Sequence, residues 1–165
     1  GPQGEPGPAG AQGPAGEAGP AGPAGPVGPT GNTVYLGSDQ SIGNEDYLGL
    51  GNASADFARN TIVVPQNSTI VGLALNIRTE DLGEDDTVSA QIIRSTTCGD
   101  ELIETGVIAT VEGPSSEGDR SCCAFASADY DVSACDLLSV RITRTGNVGA
   151  LDGGVAATIL INSAV

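Results

Sequence analysis

The chain opens GPQGEPGPAGAQGPAGEAGPAGPAGPVGPTG (1–31). Gly1, Gly4, Gly7, Gly10, Gly13, Gly16, Gly19, Gly22, Gly25, Gly28 and Gly31 fall at every third position without a miss. A strict Gly-X-Y period rich in proline specifies the collagen triple helix, because only glycine fits at the crowded axis of three polyproline-II chains. A Pro/Gly linker shares the composition but not the period, and a lone polyproline-II strand has no need of glycine in register. The repeat therefore predicts three chains in phase, with these eleven glycines on the axis. Fully wound, such a tract spans on the order of 90 Å.

Proline fills X seven times but Y only at Pro6, where animal collagens place hydroxyproline. Alanine dominates Y instead, at Ala9, Ala15, Ala18, Ala21 and Ala24. That pattern points to a bacterial or viral source. Ten triplets are also a short run to offset the ordering entropy of three chains. Something beyond the repeat must hold them together. Thr30, a Y-position residue, is a candidate for an O-linked glycan. The chain starts inside the repeat with no leading apolar run, which predicts upstream collagen and an anchoring segment.

From residue 32 to 165 the pattern changes to short runs rich in Val, Ile and Thr, broken by Gly, Asn and Asp. Strands are predicted at 33–36, 61–64, 69–78, 87–94, 105–111, 121–128, 137–145 and 155–161. Many short strands with polar turns indicate a β-sandwich or jelly roll. In 69–78, alternation puts Val71, Leu73, Leu75 and Ile77 on the core side. In 137–145 it puts Leu138, Val140 and Ile142 inward and leaves Ser139, Arg141 and Thr143 wet. The last strand is apolar on both faces: Val155, Ala157, Ile159 and Ile161 on one, Ala156, Thr158 and Leu160 on the other. With three chains already demanded by the repeat, Val155, Ala156, Thr158 and Leu160, and more weakly Ile93, become candidates for a threefold interface. A head that trimerises would fix the register of the repeats and let them zip from Gly31 toward Gly1.

Frequent GPA and GPT triplets followed by a β domain of this size resemble the collagen-like exosporium glycoproteins of spore-forming bacilli. NTIVVPQNSTIVGLALNIR (60–78), TVSAQIIRSTT (87–97), DLLSVRITRTG (136–146) and GGVAATILINSAV (153–165) are similar to the C-terminal domain of their B-type members. The resemblance implies a homotrimeric jelly roll of the tumour-necrosis-factor and complement type at the tip of spore-surface filaments. Its partners would be its own copies, and other spore-coat or filament proteins through an upstream segment. The alternatives are an adhesin or recognition module that binds surface ligands by trimeric avidity, and a phage or viral collagen-like fibre. Four cysteines and a strongly acidic composition set this chain apart from the family pattern.

Chemistry is sparsely provided. His, Lys, Met and Trp are absent, which removes a His base, a Lys Schiff base and Ser-His-Asp or Cys-His nucleophile systems. No catalytic role and no cofactor are expected. Six basic against 21 acidic residues give a net charge of -15, unsuited to a phosphate backbone or an anionic membrane surface. No apolar run is long enough to span a bilayer. Cys98, Cys122, Cys123 and Cys135 have no C-x-x-C spacing. An extracellular setting predicts two disulfides, with Cys122 and Cys123 bonded to different partners among Cys98 and Cys135; buried free thiols or interchain bridges are the alternatives. Asp85, Asp86, Asp129 and Asp131 are weak candidates for calcium; no EF-hand spacing accompanies them. Asn52-Ala53-Ser54 and Asn67-Ser68-Thr69 match the N-glycosylation acceptor by chance in a bacterial protein.

Overall fold

A computed structural model describes residues 1–22, 31–115 and 121–163. Thr30, Gly25 and Gly28 lie outside the described residues. Residues 1–22 carry no regular secondary structure and are exposed throughout. From Gly31 the chain is almost entirely strand: β1 Gly31–Ser38, β2 Asp46–Leu48, β3 Ala53–Ser54, β4 Ile62–Val63, β5 Ser68–Asn76, β6 Thr87–Ser95, β7 Ile103–Glu112, β8 Cys123–Val132, β9 Leu137–Thr145 and β10 Val155–Ser163. One 3₁₀ turn, Ala58–Asn60, interrupts them. Gly31, which the period counts with the repeat, is the first residue of β1 and pairs with Asn162.

The strands form two antiparallel sheets, one ordered β1-β10-β5-β8 and a six-stranded one running β3-β2-β9-β6-β7 with β4 also on β9. The pairing is nested. β1 takes β10, β2 takes β9, β5 takes β8 and β6 takes β7. Apart from the β6–β7 hairpin, successive long strands from β5 to β10 switch sheets, which is the connectivity of a jelly-roll sandwich. Between the sheets lies one continuous core that includes Leu36, Ile70, Leu73, Leu75, Ile92, Leu138, Val140, Ile142 and Ile159, nearly all of them fully buried.

Three expectations are corrected by this arrangement. Val71 does not face the core; Ile70 does. Pairing of β5 with β10 slips between Leu160 and Ile161, and pairing with β8 slips opposite Ile70 to Gly72. Each slip is a β-bulge, and a one-residue shift moves every later side chain to the other face. Second, the outer face of β9 is not wet throughout. Ser139 is fully buried and donates its Oγ hydrogen to the Leu48 carbonyl at 3.1 Å. Third, Ile93 needs no second chain for cover. It is buried beneath Tyr47 and Phe57, whose rings meet edge-on at 5.5 Å, in a small second core outside the six-stranded sheet.

Candidate functional site

β10 lies between β1 and β5, so its two faces have different fates. Val155, Ala157, Ile159 and Ile161 point into the sandwich core of the same chain. Val155 thus joins Ile93 as a residue whose cover is intramolecular. Ala156, Thr158 and Leu160 point outward and are half-buried.

Strand register turns that outward side into rows, three of them neutral, while a fourth of Gly31, Asn162, Thr69 and Asp131 ends on a carboxylate. Gly37, Ala156, Asn76 and Cys123 lie across the sheet in one; Tyr35, Thr158, Ala74 and Phe125 in the next; Thr33, Leu160, Gly72 and Ser127 in the third. None of these twelve residues is charged, in a chain of net charge -15. Tyr35 is 68% exposed and Phe125 61%, although both are large and apolar-bodied. The opposite sheet presents a different outer surface, where Arg141 pairs with Glu104 and bonds Gln91 Oε1 at 3.1 Å. Hydrogen bonding to Glu104 raises the Arg141 pKa further and keeps the guanidinium charged.

Beside β1 the neutral face deepens into a recess of about 410 Å³, lined by Tyr35, Leu36, Gly37, Leu50, Gly51, Arg78 and residues 156–158. Its rim is made by backbone. Gly37 donates to the Gly49 carbonyl and accepts from Gly51 N–H, both at 2.9 Å, which ties the 49–51 loop to β1. Gly51 takes φ +107°, a conformation glycine adopts without strain, and that turn leaves Leu50 standing out 74% exposed. Arg78 closes one side, donating from Nη1 to the carbonyls of Ser38 at 3.1 Å and Gly153 at 3.0 Å. Among the described residues Arg78 forms no ion pair. Leu50 carried no periodic signal in the sequence, whereas alternation in 69–78 already set Arg78 on the outward side; the 49–51 loop bonded to β1 brings Leu50 to the face that Arg78 and Phe125 share.

The cysteines are free thiols, which corrects the expectation of two disulfides. Cys123 pairs with Asn76 at one end of β8, whereas Cys135 follows the other end and Cys98 follows β6 at that same far end. Nine strand steps separate the two groups by roughly 30 Å, and a disulfide needs Cα atoms within about 7 Å. Neither Cys98 nor Cys135 can reach the Cys122–Cys123 pair within a chain.

The acidic candidates are likewise split. Asp86 braces a turn, accepting from Gly83 N–H at 2.8 Å and Asn147 N–H at 2.7 Å. Asp131 accepts from Thr69 Oγ1 at 2.7 Å near the opposite end of the sandwich, in β8 with Asp129. The four aspartates do not converge, and no group of three metal-ligating side chains occurs among the described residues. The Asn52 amide is engaged internally, donating to Asn60 Oδ1 at 2.7 Å.

The repeat shows a further property. At Gly1, Gly4, Gly7, Gly10, Gly13, Gly16, Gly19 and Gly22 no atom of the chain lies within 4 Å of where a Cβ would stand, and none adopts a positive φ. Neither contacts nor backbone within one chain call for glycine at these positions.

No family model and no curated protein matches the chain. Among solved structures it is similar to the capsid of Ralstonia phage GP4, with a TM-score of 0.51 and 15% identity over 87% of this chain and 90% of that one. The likeness is one of fold. No helix of the described residues is long and apolar enough to cross a membrane.

Proposed function

We propose that this protein is a structural surface protein, a homotrimer in which the jelly-roll head clasps three chains and sets the phase of their collagen-like repeats. One observation carries the reading: glycine recurs at every third position although, from Gly1 to Gly22, nothing within the chain requires it. The steric demand that keeps the period is then intermolecular, as at the axis of a triple helix. The twelve uncharged residues in three rows on the outer face of β1-β10-β5-β8, beside Asp129 and Asp131 at one end of β8, supply a patch on which identical copies meet without like-charge repulsion. No enzymatic role is assigned, since neither histidine nor lysine is present to serve as a base or to activate a nucleophile. The resemblance of the strand sequences to exosporium glycoproteins favours the filament nap of a bacterial spore as its place.

A second reading, a collagen-like fibre or surface component of a virus, is favoured by the fold likeness to a phage capsid protein. Both readings share the assembly. Sedimentation of the full chain tests it, with a species of three times 16.3 kDa expected. A collagen-type circular dichroism spectrum that melts cooperatively should accompany that mass, and Gly13→Ala should lower only that transition. A monomer at micromolar concentration overturns the proposal. Immunogold labelling of spores against virions of the source organism then separates the two settings.

A further inference from the structure

We propose that Phe125 of each chain seats in the recess between Tyr35 and Leu50 of the next, so that three heads close a ring by one repeated contact. The inference rests on the trimeric reading above and deepens it to named residues.

The two features are complementary and belong to one sheet. Phe125 is an exposed aromatic ring on β8, one edge of the sheet, and the recess opens beside β1, the other edge. Thr158 and Ala74 lie between Tyr35 and Phe125 in the same row, so three strand spacings, about 14 Å, keep a chain from filling its recess with its own Phe125. The ring instead leans over Gly72 of the adjacent strand. A contact joining two different patches of identical subunits is heterologous, and it closes a ring when the rotation allows. A contact between like patches would give a twofold pair, which does not match the three chains that a Gly-X-Y repeat requires.

Connectivity places the recess near the common axis. The repeat runs into Gly31, and Tyr35 follows four strand residues later, about 13 Å of chain. Three repeats wound together therefore hold three copies of β1, with their recesses, close to one line. Electrostatics agree. Chains of -15 repel over most of their surface, while the rows between recess and ring carry no charge. Arg78, without an acidic partner among the described residues, offers the rim a positive charge toward an acidic neighbour. A desolvated aromatic in a pocket is the type of contact that dominates interface energy. Phe125→Ala is thus expected to raise the concentration at which the heads dissociate by roughly 30-fold or more.

The test uses the full chain with Phe125→benzoylphenylalanine, prepared as an equal mixture of light and heavy-isotope copies, irradiated and mapped by mass spectrometry. Crosslinks between light and heavy chains that end at Tyr35, Leu50 or Thr158 are expected. Interchain crosslinks ending elsewhere, or crosslinks within one chain only, overturn the contact if the sample sediments as a trimer. If the bulky probe itself prevents assembly, Leu50→benzoylphenylalanine serves instead. Leu50 stands free of the core, and its crosslinks must reach β8 of another chain or the contact is wrong. Unmodified protein that sediments as a monomer defeats the trimeric reading itself, a distinct failure.

Discussion

The ring of Phe125 lies over Gly72: a Cβ built at residue 72 would come 2.7 Å from Cζ and 2.9 Å from Cε2 of that ring. Gly72 is buried for this reason alone, since it sits on the outward side of β5. The glycine is a seat for the aromatic, which covers backbone that a side chain would otherwise cover. Because the two atoms under 3.0 Å are the movable end of an exposed side chain, and the Ala126 carbonyl oxygen at 3.3 Å need give by only a few tenths of an ångström, Gly72→Ala should fold. Its melting temperature is expected to stay within about 5 °C of the parent, while the displaced ring weakens assembly. Melting and sedimentation by dilution check both halves, and unchanged assembly would show that the ring's position is immaterial.

Among the described residues, Arg94 and Asp136 form the best-shielded ion pair. Asp136 Oδ2 accepts from Arg94 Nε at 2.8 Å, from Arg94 Nη2 at 2.7 Å and from Ser133 N–H at 2.8 Å, with side-chain exposures of 18% and 7% for Arg94 and Asp136. The guanidinium also lies 5.8 Å from the Tyr130 ring centroid. Removing one partner strands the other charge, so Asp136→Ala should cost about 3 kcal/mol in urea unfolding. A cost under about 1 kcal/mol would mean that water reaches the arginine.

Long strands announced themselves by alternation, and β6, β9 and β10 stand where Ile92, Val140 and Ile159 put them. Asp46–Leu48 and Ala53–Ser54 did not, because two or three residues cannot display a period of two. That omission hid the second core: without β2 there is nothing to bring Tyr47 over Ile93, and Ile93 reads as an unpaired apolar residue. Val71 misled for a related reason. A bulge inserts a residue without any change of composition, so Ile70 and Val71 exchange faces with no trace in sequence. The neutral face was half legible. Ala156, Thr158 and Leu160 marked β10 as apolar on its second side, but Tyr35 and Phe125 join them only through a register shared by four strands.

The thiols give a third expectation. Cys98, Cys123 and Cys135 are exposed, while Cys122 is half-buried against the core and accepts a hydrogen bond from Asn76 Nδ2 at 3.6 Å. Alkylation without reductant, followed by mass spectrometry, should modify all four in the unfolded chain. In the folded protein Cys98 and Cys135 should react first and Cys122 last. Cys123, two residues from Phe125 on the same face, should be slowed in the trimer and fast in Phe125→Ala. A mass two units low before labelling would instead reveal a disulfide.

Glu80 sets the sign of one pH effect. Partial burial raises its carboxyl pKa above 4.5, and the charges of Asp152 and Asp81 raise it further against an opposing pull from Arg144. The folded chain therefore holds this proton more tightly than the unfolded one. Its contribution is most favourable below pH 4.5 and is lost as pH rises through the folded value, leaving a penalty at neutrality. The group is largely solvated, so the penalty is a few tenths of a kcal/mol. Glu80→Gln should accordingly raise the urea midpoint at about pH 7 and leave it unchanged at about pH 3.5. A variant less stable than the parent at neutral pH would mean that the ionised carboxylate contributes a contact stronger than its repulsion from Asp152 and Asp81.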